Sequence, residues 1–327
     1  MNLPSTDDRS ISPVVGIALM LVIVVLLALT TATLMLGFAG ELESAEEVDL
    51  FDRTQCPGFQ TFTYEPPTFD DVYTTISENN CALWLDAGDV DTDSDGRVTR
   101  WYDSGPNNFH ATQSTATARP LLVSNAINGQ PALQFDGQNQ DTTDPAQTSG
   151  EFLRLERDVS DLNLDEDTGM VVFAVINVAE FNRGGTWTIG EAGETGGEFS
   201  MRTCSTFTVD TCVVGGDSSG HWRAQQFGEA DVDFVSPETD NQWAILVHAY
   251  DGEEVRVRVN GEPVAGAPVA LDLQSNRDIQ LGRWERTEDD PDWYFAGQLA
   301  ELMIFDQTLS DEDLSNVEGY FETKFQI

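Results

Sequence analysis

Asp251-Gly252-Glu253-Glu254-Val255-Arg256-Val257-Arg258-Val259-Asn260-Gly261 is a strand written between two turns. Valine and arginine alternate strictly, so one face of the extended chain is apolar and buried while the other is charged and wet. Asp-Gly and Asn-Gly tolerate the positive φ angles of tight hairpins, which gives the strand a neighbour on each side. Comparable short runs, rich in β-branched, aromatic and leucine residues, occur along the chain: Ala82–Leu85, Val98–Tyr102, Ala132–Phe135, Met170–Val178, Trp243–Ala249 and Leu299–Phe305. Only the C-terminus reads as a helix. Ser310 caps it, Asp311–Asp313 suit its positive end, and Leu314, Val317 and Phe321 fall on one face. The class is all-β: a sandwich with one closing helix.

The chain has 327 residues, with 16 Lys+Arg against 57 Asp+Glu and a net charge of −41. With 40% hydrophobic residues it still has material for a packed core. Nucleic acid is excluded as a partner, because phosphate binding needs a basic surface. Lys324 is the only lysine; the other basic residues are arginine. A surface this acidic and nearly free of lysine resembles the proteins of salt-loving archaea, whose self-repulsion is screened at molar salt. Most carboxylates are therefore expected to serve solvation.

From Ile11 to Gly40 no residue is charged. About 25 apolar residues reach roughly 37 Å as a helix, enough to cross a bilayer. That is longer than the ~7–15-residue core of a cleavable secretory signal. Asp8-Arg9-Ser10-Ile11-Ser12-Pro13-Val14-Val15-Gly16 resembles the start of archaeal type IV pilins. The resemblance implies a leader, residues 1–10, removed by a prepilin peptidase between Ser10 and Ile11, and a membrane helix over 11–40. A plain signal anchor, or cleavage near Ala32 or Ala39, is the alternative. No second apolar span follows, so the rest of the chain is expected outside a single-pass membrane anchor, with other pilin-like subunits as partners in a surface filament.

Residues 41–80 form an acidic, turn-rich spacer. The four cysteines, Cys56, Cys81, Cys204 and Cys212, allow three disulfide connectivities, of which the local pairs 56–81 and 204–212 are preferred. Zinc is the alternative, but no Cys-x-x-Cys occurs and His110, His221 and His248 are scattered.

Residues 81–327 carry a second resemblance. Ala82-Leu83-Trp84-Leu85-Asp86-Ala87 is followed by Gly96-Arg97-Val98-Thr99-Arg100-Trp101-Tyr102-Asp103 and Ser104-Gly105-Pro106-Asn107-Asn108-Phe109-His110-Ala111. Then come Arg119-Pro120, Asn128-Gly129-Gln130-Pro131-Ala132-Leu133, Phe295-Ala296-Gly297-Gln298-Leu299-Ala300-Glu301 and Leu309-Ser310-Asp311. In this order they resemble a LamG-type jelly roll of the concanavalin A-like lectin/glucanase superfamily. The resemblance implies the fold; it leaves the ligand open, because that superfamily holds lectins, enzymes and structural modules. Trp84 and Trp101 are read as core, Gly105 and Gly129 as turns, and the pairs Gly184-Gly185, Gly196-Gly197 and Gly215-Gly216 as loop turns.

Three places carry candidate chemistry. Asp91, Asp93 and Asp95, in Asp91-Thr92-Asp93-Ser94-Asp95-Gly96, could present oxygens to Ca²⁺, although position 12 of an EF-hand would be Tyr102; a solvated turn is the other reading. Glu229-Ala230-Asp231-Val232-Asp233-Phe234 sets acids at alternate positions, as jelly-roll glucanases do, yet ends in aspartate where those enzymes have glutamate. Trp222, Trp284, Trp293 and Tyr294 stand among polar residues and could form sugar platforms, or could be packing. The expected function is a membrane-anchored, pilin-like surface protein whose jelly roll binds carbohydrate or protein ligands in adhesion or recognition. A glycoside hydrolase and a ligand-free envelope module are the alternatives.

Overall fold

The computed structural model describes residues 81–137, 150–164, 167–181, 184–190, 197–204, 206–208, 211–213, 221–226, 230–236, 239, 241–273, 278–284 and 293–327. The leader, the apolar segment, the spacer, Ser10, Ile11 and Cys56 lie outside the described residues. The chain divides into two units, Met1–Val48 and Asp49–Ile327, and every described residue belongs to the second. Among the described residues no helix is long and apolar enough to cross a membrane.

In chain order the strands are β1 (Cys81–Thr92), β2 (Val98–Asp103), β3 (Ala111–Thr112), β4 (Leu121–Ile127), β5 (Gln130–Asp136), β6 (Leu153–Asp158) and β7 (Met170–Val178). They continue as β8 (Gly184–Gly190), β9 (Glu198–Cys204), β10 (Thr206–Thr208), β11 (Thr211–Val213), β12 (His221–Gln226), β13 (Ala230–Val235) and β14 (Trp243–Tyr250). The last are β15 (Glu254–Val259), β16 (Glu262–Pro268), β17 (Asp278–Leu281), β18 (Arg283–Trp284), β19 (Trp293–Tyr294) and β20 (Ala296–Phe305). Helix α1 (Asp311–Phe325) follows.

Pairing resolves these strands into two layers of a jelly-roll sandwich. The first runs β16-β15-β14-β7-β20. On the far side of β20, β5 pairs with its first half and β1 with its second, while β4 extends β5. The second layer runs β2-β3-β6-β17-β8-β9-β12-β13. Strand β1 belongs to both: Cys81–Asp86 pairs with β20, and Val90–Thr92 pairs with β2 after a register shift.

Two apolar cores follow from side-chain alternation. Leu83, Leu85, Val172, Ala174, Ile176, Leu246, Val255 and Val257 face the space between the sheets. Trp84, Val171, Phe173, Val175, Ile245, Val247, Met303 and Phe305 face outward from the first sheet, onto Leu314, Val317, Phe321 and Phe325 of α1. Strand β7 is thus buried on both faces, which is why Met170–Val178 is a nearly continuous apolar run. The wet side of β15 is partly covered too: Arg258 pairs with Glu318 of α1 at 2.7 Å.

Local chemistry agrees with the turns and the cap. Asn260 and Gly261 adopt φ of 49° and 81°, the two positive values a type I′ hairpin requires. Ser310 Oγ accepts from Asp313 N at 3.2 Å, and the Asp313 side chain accepts from Ser310 N, closing a capping box. Asp103 ties the first hairpin together: Oδ1 accepts from Trp84 N and Gly105 N, and Oδ2 from Phe109 N, each at 2.9 Å. Trp84 and Trp101 are fully buried.

One glycine pair departs from the sequence expectation. Gly184-Gly185 is not a loop turn; it opens β8. A Cβ on Gly185 would lie 2.4 Å from the Trp284 backbone N, so the glycine lets β18 approach the sheet.

Candidate functional site

The outer face of the second sheet gathers a cluster of buried polar side chains. In β9, Phe199 and Met201 enter the core between the sheets, so Glu198, Ser200 and Arg202 point the other way. They are nevertheless buried, because the β18–β19 pair lays its aromatic side chains over them. Trp284 and Trp293 stack at 4.6 Å between centroids, 22° from parallel. The Arg202 guanidinium lies 4.4 Å from the Trp284 ring centre and 5.0 Å from that of Trp293. Trp284 Nε1 donates to Glu198 Oε2 at 2.9 Å, and Ser200 Oγ donates to Glu198 Oε1 at 3.2 Å. Beside this group Arg283 lies over Phe152 at 4.6 Å, and Thr188 Oγ1 donates to the Arg283 carbonyl at 3.0 Å.

The polar row continues across the sheet. Arg202 and Arg223 are register partners between β9 and β12, and Arg223 and Asp233 are partners between β12 and β13. Arg223 donates to both oxygens of Asp233, Nε to Oδ1 at 2.6 Å and Nη2 to Oδ2 at 2.8 Å, a bidentate pair. Asp233 and Val235 are exposed, so the row opens to solvent at this end. Arg202, Trp284 and Trp293 are buried against one another, so what this row presents to solvent is the Asp233 carboxylate, held in place by Arg223.

The aromatic candidates from the sequence are placed differently from open platforms. Trp222 is fully buried, stacks on Phe234, and donates through Nε1 to Thr239 Oγ1 at 2.8 Å. Trp284 and Tyr294 are buried as well, and Trp293 is 9% exposed. The structure brings Trp284 and Trp293 together but covers their planes with Arg202, and Trp222 belongs to the core between the sheets. Alternation between apolar and polar residues in Glu198-Phe199-Ser200-Met201-Arg202 was the available signal for the β9 row, the same signal that marks Val255–Val259.

The acidic turn between β1 and β2 is built without converging carboxylates. Asp93 Oδ1 accepts from the backbone N of Asp95 and of Arg97, each at 3.0 Å, and Oδ2 takes Arg119 Nη1 at 3.0 Å. These bonds, the Arg97 amide foremost, hold the Asp93 carboxyl below its ordinary range. Asp91 Oδ2 instead accepts from the Tyr102 hydroxyl at 2.6 Å. Asp91, Asp93 and Asp95 do not gather, and among the described residues no group of three His, Cys, Asp or Glu side chains is arranged to hold a metal ion. Of the candidate catalytic strand, Asp233 is bound to Arg223, while Glu229 and the Asp231 side chain lie outside the described residues. Cys81 is buried at the start of β1, Cys204 is buried at the end of β9, and Cys212 lies in β11.

Residues 160–315 match the family model described as the concanavalin A-like lectin/glucanases superfamily, Laminin_G_3. Over these residues the chain is similar to that superfamily, in agreement with the jelly-roll sandwich described above. The sheets themselves draw on strands from Cys81 onward, since β20 pairs with β1 and β5. No curated protein matches the chain. Among solved structures, the botulinum neurotoxin serotype D binding domain is 14% identical with a TM-score of 0.45, over 73% of this chain and 50% of that one. The binding domain of Paraclostridial Mosquitocidal Protein 1 is 11% identical with a TM-score of 0.46, over 74% and 52%. Trypanosoma rangeli sialidase, in complex with the inhibitor DANA, is 11% identical with a TM-score of 0.48, over 81% and 36%. The chain spans about half the length of the two binding domains.

Proposed function

We propose that the chain is a cell-surface protein whose jelly roll binds carbohydrate or protein ligands in adhesion or recognition. In this reading a prepilin peptidase removes residues 1–10, segment 11–40 holds the protein in the membrane or in a pilin-like filament, and the sandwich faces outside. The uncharged run from Ile11 to Gly40 and the Ser10-Ile11 junction support the anchor. The outer edge of the second sheet supports binding: Asp233 and Val235 are exposed there, and Arg223 holds the Asp233 carboxylate in a fixed orientation on a rigid sheet. The lectins of the matched superfamily add to it. Local pairing of Cys204 with Cys212 belongs to the same extracellular reading.

The test uses the full chain, solubilised in detergent and molar salt, on immobilised polysaccharides and cell-envelope material. Retention that is lost in Arg223→Ala, without release of reducing ends, fits a binding module using this face. Release of reducing ends would replace the reading with a hydrolase. Absence of both would leave a structural envelope module. Sequencing the mature N-terminus checks the anchor: a start at Ile11 fits, whereas an intact Met1 or a start beyond Ala32 sinks the pilin-like part.

A further inference from the structure

The only lysine of the chain, Lys324, is spent in the interior, against the sheet beneath α1. Asp86 of β1 and Glu301 of β20 are register partners across two neighbouring strands. A register shift between Leu299 and Glu301 turns Glu301 to the face that carries Trp84, toward α1. There Lys324 Nζ contacts Asp86 Oδ2 and lies 2.6 Å from Glu301 Oε2. The side chains are 13% exposed for Lys324, 7% for Asp86 and 0% for Glu301. Trp84 Nε1 donates to Glu301 Oε1 at 2.5 Å, and the Tyr320 hydroxyl donates to the same oxygen at 3.0 Å.

An ion pair alone does not account for this arrangement. Elsewhere among the described residues the ion pairs are made by arginine, including the buried Arg258–Glu318 pair. Arginine suits such pairs better, because its charge is permanent and its fork is bidentate. Lysine differs in one chemical respect: it can lose its proton and act as an amine nucleophile. Two carboxylates facing one ammonium in an apolar site also favour a proton on one of them. Burial pushes Glu301 up to about 7, so it is the group suited to carry that proton.

We propose that Lys324 and Asp86 are joined covalently, Nζ to Cγ, as an amide formed inside the folded domain, with Glu301 as its proton carrier. The two carboxylates make the Lys324 ammonium hold its proton more tightly than usual, so the step starts from the minor state in which that proton has passed from Nζ to Asp86. The nitrogen lone pair attacks Asp86 Cγ and the new C–N bond forms. Glu301 takes the proton lost by nitrogen and returns one to the departing oxygen. The Cγ–O bond breaks, and one water leaves for each bond made. No oxidant, reductant or cofactor is required. Contact in a fixed geometry supplies the proximity that amines and acids lack in solution, and the surrounding Trp84 and Tyr320 exclude the water that would reverse the step.

Because Lys324 is the sole lysine, the test is direct. The purified full chain, folded in molar salt, is denatured and treated with a lysine-specific protease, and its arginine-cleaved peptides are weighed. The expected result is that Phe325-Gln326-Ile327 is not released, and that the Asp86 and Lys324 peptides appear as one species lighter than their sum by one water. Release of the tripeptide, with the two peptides recovered separately at full mass, would overturn the proposal. In Glu301→Gln, which keeps the hydrogen-bonding shape but cannot shuttle the proton, the tripeptide is expected to be released. A linked Glu301→Gln chain would overturn the role given to Glu301.

Discussion

His248 sits on β14 with its ring stacked on Phe199, 3.7 Å between centroids and 8° from parallel, wholly inside the core between the sheets. Burial pushes its pKa down to about 3. The unfolded chain takes up a proton on this residue below about 6.5, whereas the folded one resists until about 3. Unfolding is therefore coupled to proton uptake in that window, and His248 removes stability as pH falls through it, by about 1.4 kcal/mol per pH unit at most. His248→Phe keeps the stack and abolishes the coupling. Denaturant titrations from pH 7 to about 4 should show the variant losing less stability than the wild type; parallel curves would reject the assignment. At this scale the sequence was uneven. Core roles for Trp84 and Trp101 were legible because each sits inside a strand. The fate of Trp284 and Trp293 was not, because the arginine that covers them, Arg202, lies far away in sequence. Nor could Lys324 be connected to Asp86 and Glu301 before the register of β1 on β20 was known.

Elements show the same division between local and distant causes. Strands whose patterns are apolar or alternating, such as Met170–Val178 and Val255–Val259, announce themselves, and so does α1 through Ser310 and its apolar face. Strand β8 does not, because Gly184 and Gly185 read as a turn until the close approach of β18 is seen. Gly185→Ala should displace Trp284 from the sheet; a red-shifted, more quenchable tryptophan emission would report it, and an unchanged spectrum would count against the packing described. Ser310→Ala removes the acceptor for the first turn of α1 and should cost about 1 kcal/mol in chemical denaturation. The β1–β2 turn supplies a sharper test. Asp93→Ala strips the acceptor from the Asp95 and Arg97 amides and leaves Arg119 without that carboxylate, so a lower denaturation midpoint is expected. That loss should be the same with calcium or with chelator if the turn is held by these bonds alone; rescue or wild-type stabilisation by calcium would support the cation reading of the turn.

For the whole molecule, a net charge of −41 sets the response to solvent. Raising salt from about 0.1 M to about 1 M shortens the screening length from roughly 10 Å to roughly 3 Å. Repulsion among the many surface carboxylates should fall while buried pairs such as Arg258–Glu318 keep most of their strength. The melting temperature should therefore climb with added KCl, and a flat or falling trend would show that the charge is not what limits the fold. Molecular architecture was the most legible scale of all, since the all-β sandwich follows from many short strands and one cap, and the LamG-type resemblance implied the jelly roll. What no local pattern could supply was the double membership of β1, which pairs with β20 in one layer and β2 in the other. That membership has a mechanical meaning. A pull applied at Cys81 meets the pairs with β20 first and most of the pairs with β2 only beyond them. To come away, the strand must leave one layer and then the other, so freeing a single segment opens both sheets.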